Sequence, residues 1–284
     1  MSAAALPHAA SRRLPGTLLL GGAVLGAIAV LAVIGPWITP YNPTAFAVRF
    51  RFVPPGAAHW FGTDEFGRDV LSRVLAGAHY SLVMGFGATA LSLAVGVPLG
   101  LLAAFHRGLV EEAIMRPIDL LISLPPVLLG LLILAVTPPN LFKTVLAVGI
   151  VYVPILARLS RAVALGLLEE DFVTAARARG EGAVSILARE ILPNAWPPII
   201  VESGLRVTFA ILLGSSLSFL GLGPQPPGSE WGLMIAESRE FLDRAPWIGL
   251  APGFSLCVLL IAVNLFGEGL REFLDPRLRG RAGG

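Results

Sequence analysis

Long apolar runs separated by shorter polar connections are the dominant pattern of this chain. A helix needs about 20 mostly apolar residues to cross the hydrocarbon core of a bilayer. Six stretches meet that requirement, so the pattern predicts six transmembrane helices: Thr17–Ile38, Tyr80–Phe105, Ile118–Val136, Thr144–Ala164, Ala195–Leu222 and Trp247–Phe266. The third is the weakest, because Pro125-Pro126 interrupts it. Such a break either lines a cavity or is a packing kink.

Two connections have more internal order than a linker needs. In residues 39–79, five apolar positions between Val70 and Ala78 recur at helical spacing. This predicts an amphipathic helix at the membrane interface just before the second span, with Thr63 and Asp64 as candidate N-terminal caps. The other connection, residues 223–246, is rich in Pro and Gly and then becomes helical from Trp231 to Leu242.

A third ordered connection, residues 165–193, lies between the fourth and fifth spans and is polar, charge-balanced and helix-prone. Thr174-Ala175-Ala176 places small side chains together, Gly180 ends a helix or permits a close backbone approach, and Pro193 marks the start of the next span. An inert loop between spans is shorter and richer in turn residues. The pattern therefore predicts a helix that docks against another protein.

Composition places the chain in the membrane class. Of its 284 residues, 55% are hydrophobic and 14% are charged, whereas soluble domains carry about a quarter charged residues. The first apolar run is too long for a signal peptide, and no small-x-small cleavage site follows it.

Basic residues in the connections predict the orientation. With the N-terminus inside, 13 Arg residues lie inside, and seven Arg or Lys residues lie outside. The positive-inside rule then predicts an inner-membrane protein with both termini cytoplasmic. The expected organisation is a cytoplasmic tail (1–16), a first helix (17–38), the outer segment 39–79, a five-helix core (80–268) that includes the connections 165–193 and 223–246, and a cytoplasmic tail (269–284).

The residue types that carry enzyme chemistry form no constellation in this sequence. The four histidines are scattered, and the single lysine, Lys143, does not follow a phosphate-binding glycine loop. No nucleophile elbow is present. We therefore expect a protein that is not an enzyme and holds no metal or cofactor, so any ATPase would be a separate chain. Cys257, the single cysteine, lies in an apolar run and is expected to be a small buried hydrophobe.

Charged residues inside a span need an explanation, because each costs about 3 kcal/mol near the bilayer centre. Glu202 and Arg206 lie four residues apart in the fifth span and share one helical face. They are either a polar patch that lines a pathway or a self-neutralising pair near the cytoplasmic boundary. Ser215 and Ser218 of the same span are further candidates for pathway lining, although small residues also serve close helix packing.

Four ordered motifs resemble those of permease subunits in binding-protein-dependent ABC importers, specifically the dipeptide, oligopeptide and nickel branch. The resemblance runs from about Pro36 to Leu278 and is strongest to the second of the two permease types. The motifs are the EAA-like loop (Thr174-Ala175-Ala176, Gly180, Ile191-Leu192-Pro193), residues 59–70, residues 217–227 and residues 274–278.

The resemblance implies an all-α type I importer permease with six transmembrane helices and a cytoplasmic coupling helix. Its implied partners are a second homologous permease, two ATP-binding subunits that hold ATP and Mg, an extracytoplasmic substrate-binding protein and membrane lipid, but no nucleic acid. The implied cargo is peptides or related small solutes. By resemblance, the ATPase contact falls on Thr174, Ala175, Ala176, Gly180 and Pro193.

One departure from the family pattern and two other functions stay open. The family usually has Glu at the position of Thr174, so a charged contact is missing here or is supplied by Glu170 or Asp171. A stand-alone secondary transporter would show buried ionisable residues and internal repeats, and the broken third span is compatible with it. A membrane anchor for an enzyme complex would not need the two structured outer segments.

Overall fold

The computed structural model describes residues 14–136 and 138–274 of the chain. Within these ranges the chain forms nine helices: α1 Gly16–Ile38, α2 Val70–His106, α3 Leu109–Ser123, α4 Pro126–Ala135, α5 Leu141–Leu167, α6 Asp171–Ala178, α7 Ala183–Phe219, α8 Trp231–Ser238 and α9 Trp247–Leu274. Short 3-10 turns lie at Val48–Phe50 and Arg239–Phe241. The motif at residues 274–278 and most of both predicted tails lie outside the described residues.

Five of these helices (α1, α2, α5, α7 and α9) are long and apolar enough to cross a membrane. The pair α3–α4 becomes a sixth span when it is counted together, and its two halves are bent by 99°. The bend follows from Pro125 and Pro126, since proline cannot continue the preceding helix and forces Leu124 into an extended conformation. The six predicted spans are therefore present, with the third one broken as expected.

The second span begins ten residues earlier than predicted. The segment predicted as a separate interfacial helix is the first part of α2, joined to the rest by a π turn at Val83–Gly87. The predicted caps Thr63 and Asp64 are wrong: Asp69 caps α2, because its carboxylate accepts hydrogen bonds from the backbone N–H and hydroxyl of Ser72 at 2.8 and 2.7 Å.

The helix that carries the fifth span begins early, at Ala183, and Pro193 lies in the first turn of its regular α-helical part, Leu192–Phe219, as predicted. A proline inside a helix lacks the N–H and clashes with the carbonyl four residues before it. A π turn at Ile186–Ile191 stands directly before Pro193 and accommodates it without ending the helix.

Small residues allow the central helices to pack closely. Gly96 and Gly100 of α2 face α5, and a Cβ on either would come within 3 Å of a backbone oxygen of α5. Such contacts are typical of helix pairs in membranes, where close backbone approach replaces the hydrophobic driving force. Separate hydrophobic clusters form around α8 at one end of the bundle and around α6 at the other.

Candidate functional site

Helix α6 is a short, two-faced helix held between α5 and α7. Val173 and Ala176 are fully buried and belong to the same hydrophobic cluster as Ala164 of α5 and Ile186 of α7. Thr174 and Ala175 are exposed on the other face. The buried pair anchors the helix, and the exposed pair presents small side chains at the end of the bundle. Ala176, predicted from the resemblance to contact an ATPase, is instead part of this anchor.

Gly180 ends α6 in a specific backbone conformation. Its φ is +78°, its N–H donates to the carbonyl of Arg177 at 2.9 Å, and the Glu181 N–H donates to the carbonyl of Ala176 at 3.2 Å. This pair of bonds is the Schellman motif, which satisfies the last carbonyls of a helix and favours glycine. Among the described residues, apart from its two chain neighbours, no atom lies within 4 Å of a Cβ built on Gly180. Gly180 therefore stops the helix and leaves open space beside it.

The turn after α6 is fixed to α7 by ionic contacts. Arg179 lies 2.7 Å from Glu181 and 3.4 Å from Glu190, and the Ser185 hydroxyl donates to Glu181 at 2.9 Å. The hydrogen bonds from Arg179 and then Ser185 lower the pKa of the Glu181 carboxyl. Because these groups join the two helices, α6 and the beginning of α7 are linked beyond their apolar contact.

The Glu202–Arg206 pair lies further along α7, as the spacing predicted. Its two charged groups are 2.7 Å apart and are mostly buried. The guanidinium also lies 5.0 Å from the centre of the Phe209 ring and 5.8 Å from that of Tyr152, within cation–π range. Glu202 borders a cavity of about 440 Å³ that Arg271 of α9 also lines. The pair is thus self-neutralising and also adjoins an open space.

The two serines predicted to line a pathway have different surroundings. Ser215 is 7% exposed and borders a cavity of about 360 Å³ beside Ser216. Ser218 is fully buried, because the turn after α7 folds back over it at Gly223. Ser216, which was not among the predicted pathway residues, lies on the exposed stripe of α7 with Phe209. The spacing of seven residues between Phe209 and Ser216 is close to two helical turns, so it could have indicated that both lie on one face of α7.

The opposite end of the bundle contains a buried ionic cluster that sequence reasoning did not find. Asp64 is fully buried and accepts from Arg68 Nε at 2.6 Å and from Arg73 Nη1 at 2.7 Å. Glu237 of α8 accepts from Arg73 at 2.8 Å and lies 3.3 Å from Arg68. Since both guanidinium groups bridge the loop, α2 and α8, this cluster joins three parts of the chain. An amphipathic helix at the membrane interface would expose its polar face to water, whereas Arg73 on this part of α2 is fully buried in the cluster.

A second carboxyl at this end is also buried. Glu65 lies 3.1 Å from Arg68, yet burial, and then the neighbouring charge of Asp64, raise the pKa of its carboxyl. Glu230, which caps α8 by accepting the Leu233 N–H at 2.8 Å, likewise has its pKa raised by burial.

Comparison with known proteins gives consistent matches. The sequence model for the binding-protein-dependent transport system inner membrane component matches residues 96–280. A di/tripeptide transport system permease protein of Pseudomonas aeruginosa (strain UCBPP-PA14) is 41% identical over 93% of this chain and 89% of its own length. A dipeptide transport system permease protein of Alkalihalophilus pseudofirmus is 39% identical, covering 92% and 86%.

Two further matches extend the comparison. A glutathione transport system permease protein of Escherichia coli O6:K15:H31 is 39% identical over 88% of this chain and 83% of its own length. Among solved structures, the inward-facing MetNI methionine ABC transporter matches with a TM-score of 0.59 and 16% identity, covering 72% of this chain and 97% of that chain. At that identity the likeness shows the fold alone, a type I importer permease.

Proposed function

Since the chain belongs to the family of inner membrane components of binding-protein-dependent transport systems, we propose that it conducts di- or oligopeptides through the inner membrane as one permease of an ATP-driven importer. Family membership decides against the stand-alone transporter and the enzyme anchor, and it places ATP hydrolysis in a partner subunit. The support for peptide cargo is that relatives over nearly the whole chain are named for di/tripeptide, dipeptide and glutathione transport.

The assembly we propose has two permeases and two ATP-binding subunits, with ATP and Mg held by the latter. The substrate-binding protein approaches the α8 end of the bundle, and the ATPases approach the α6 end. Both termini are then cytoplasmic. This agrees with the positive-inside rule, because 13 basic residues lie on that side and seven on the other.

The observation that carries the coupling role is the division of α6 into an anchored and a presented face. Val173 and Ala176 hold the helix to α5 and α7, so a displacement of the exposed Thr174 and Ala175 is transmitted to the spans. Small exposed side chains let a helix seat deeply in a groove. Closure of the ATPases would therefore move α5 and α7 together and reopen the pathway on the other side.

Site-directed photocrosslinking tests this role. In a Cys257→Ala background, which removes the single and exposed native cysteine, Ala175→Cys carries a thiol-attached benzophenone. We expect an adduct with the ATPase, because Ala175 is on the presented face. Ala176→Cys, one residue away and fully buried, should be labelled far less.

An exposed control at the other end makes the result decisive. Glu240→Cys is equally accessible to the label but lies beside α8, so it should give no ATPase adduct. An adduct at Glu240→Cys together with none at Ala175→Cys would refute both the docking face and the proposed orientation.

We further propose that Glu202 and Arg206 give the pathway its polarity near the α6 end. The double variant Glu202→Ala/Arg206→Ala removes both charges and leaves neither one buried without its partner, so folding is largely retained. Peptide uptake should fall about tenfold, the loss expected when a charged hydrogen-bonding group is removed. Unchanged uptake and substrate range in vesicles would show that the pair does not contribute to the pathway. Glu112→Gln/Arg116→Gln, an exposed pair of the same spacing, is the matched control.

A further inference from the structure

A large apolar cavity lies between α1, α2 and α9 at the α8 end of the bundle, apart from the polar groups described above. Its volume is about 660 Å³, and its lining includes Ile28, Leu75, Phe254 and Val258. The one hydroxyl-bearing residue of the lining, Ser255, donates its hydrogen bond to the carbonyl of Ala251 in its own helix at 2.9 Å. The cavity thus offers almost nothing to a polar ligand, and a peptide backbone there would leave its polar groups unsatisfied.

The depth of the cavity matches one leaflet of a bilayer. Its lining extends along α9 from Trp247 to Val258, a rise of about 16 Å at about 1.5 Å per residue. That is about half of the hydrocarbon thickness of about 30 Å. Trp60, Trp231 and Trp247, three of the five tryptophans of the chain, also line the cavity. Tryptophan is enriched at the level of lipid headgroups, so the cavity runs from the headgroup region towards the bilayer centre.

Two arginines lie in the segments that lead into the lining of this cavity, Arg51 four residues before Pro55 and Arg244 two residues before Pro246. Arg244 precedes the lining residues Pro246 and Trp247, and its guanidinium lies 4.6 Å from the centre of the Phe52 ring. The guanidinium of Arg51 lies 5.4 Å from the same ring. In the part of the chain that the structure describes, neither arginine forms a salt bridge with a carboxylate, although Asp243 is adjacent in sequence to Arg244.

The ring between the arginines is held in an unusual conformation. Phe52 has a φ of +55°, which an L residue other than glycine seldom adopts. Its ring also packs against Phe241 at 5.1 Å. Such a backbone persists where the surroundings hold it, and here it places the Phe52 ring beside both guanidinium groups.

We propose that this cavity binds an acyl chain of an anionic phospholipid, with Arg51 and Arg244 attracting the headgroup phosphate. A phospholipid meets both requirements at once: an apolar tail of one leaflet's depth and a negative group at the level of the tryptophans. An anionic headgroup is favoured over a zwitterionic one, because its added negative charge is attracted by two arginines that form no salt bridge among the described residues. The site does not depend on the direction of transport or on the cargo.

Lipid retention by the purified importer complex tests the site. The complex is washed in mild detergent, offered phosphatidylglycerol or phosphatidylcholine, and its bound phospholipid is measured by mass spectrometry. The wild type should retain phosphatidylglycerol in preference to phosphatidylcholine. Ala251→Phe, which occupies part of the cavity, should lower retention about tenfold, as expected when two or three methylene groups lose their apolar site. Ile261→Phe, on the exposed side of α9 outside the cavity, should retain as much as the wild type.

The arginine variants and a second measurement keep the proposal falsifiable. Arg51→Gln/Arg244→Gln should abolish the preference for phosphatidylglycerol, and an unchanged preference would overturn the headgroup assignment. Should Ala251→Phe fail to assemble, phosphatidylglycerol brominated in its acyl chains is added to the wild type. Tryptophan quenching should then persist after dilution into unbrominated lipid. Immediate recovery of the emission, or equal retention by Ala251→Phe and the wild type, would overturn the site.

Discussion

Replacing Asp64 with Asn is expected to destabilise the protein by about 3–5 kcal/mol, the cost of removing one partner from a buried ionic group. Asp64 is fully buried and accepts from Arg68 and Arg73, both of which are also buried. Asn keeps the size of the side chain but removes the charge, so two desolvated guanidinium groups are left with Glu65 and Glu237. The Glu65 carboxyl compensates poorly, because its pKa is raised by burial.

Chemical unfolding of the purified protein, followed by helical circular dichroism, measures this effect. The matched control is Glu112→Gln, which removes the carboxylate of the Arg116 ion pair, whose side chains are 55% and 78% exposed. We expect a change of about 0.5 kcal/mol or less there, as for other exposed pairs at this spacing. Equal effects of the two substitutions would mean that the cluster does not hold the loop, α2 and α8 together.

The spans were predictable because a membrane helix is specified locally. About 20 apolar residues are needed whatever the rest of the chain does, and all six predicted stretches appear in the structure. The break in the third span was equally visible, since Pro125-Pro126 acts on its own neighbours. The early start of α7 was not, because the π turn before Pro193 depends on how the helix packs.

The ionic cluster could not be read from the sequence, because Arg73 and Glu237 are 164 positions apart. The pattern showed polar residues on one face of α2, but not that α8 covers that face. Cys257 shows the opposite error: it was expected to be buried, yet it is exposed on α9. An apolar face of a membrane helix does not reveal whether lipid or protein lies against it.

The resemblance identified the candidate coupling residues but did not show which of them are exposed and which are buried. Thr174-Ala175-Ala176 reads as one small-residue motif, yet its members divide between the exposed and buried faces of α6. The division follows from the helical period, because Ala176 is three residues from Val173 and shares its buried face. The period and the neighbouring apolar residues together could have predicted it.

Replacing Gly180 with Trp should leave the protein inserted in the membrane and abolish the ATP hydrolysis that the binding protein and peptide stimulate. A Cβ at Gly180 meets no atom of the described residues within 4 Å, so a side chain there starts into open space beside α6. The internal cost is that of a positive φ, about 1–2 kcal/mol for an L residue. Bulk beside the presented face of α6 would instead keep the helix from seating on its partner.

Gly180→Asn separates bulk from backbone strain, because Asn tolerates the left-handed conformation and is far smaller than Trp. In the reconstituted importer, Gly180→Asn should keep most of the stimulated hydrolysis, while Gly180→Trp loses it with assembly of the permeases unchanged. Normal stimulation in Gly180→Trp would refute docking at this end of α6. Equal loss in both variants would mean that even a small side chain at this position is not tolerated, so that a close backbone approach by the partner, and not bulk alone, sets the requirement.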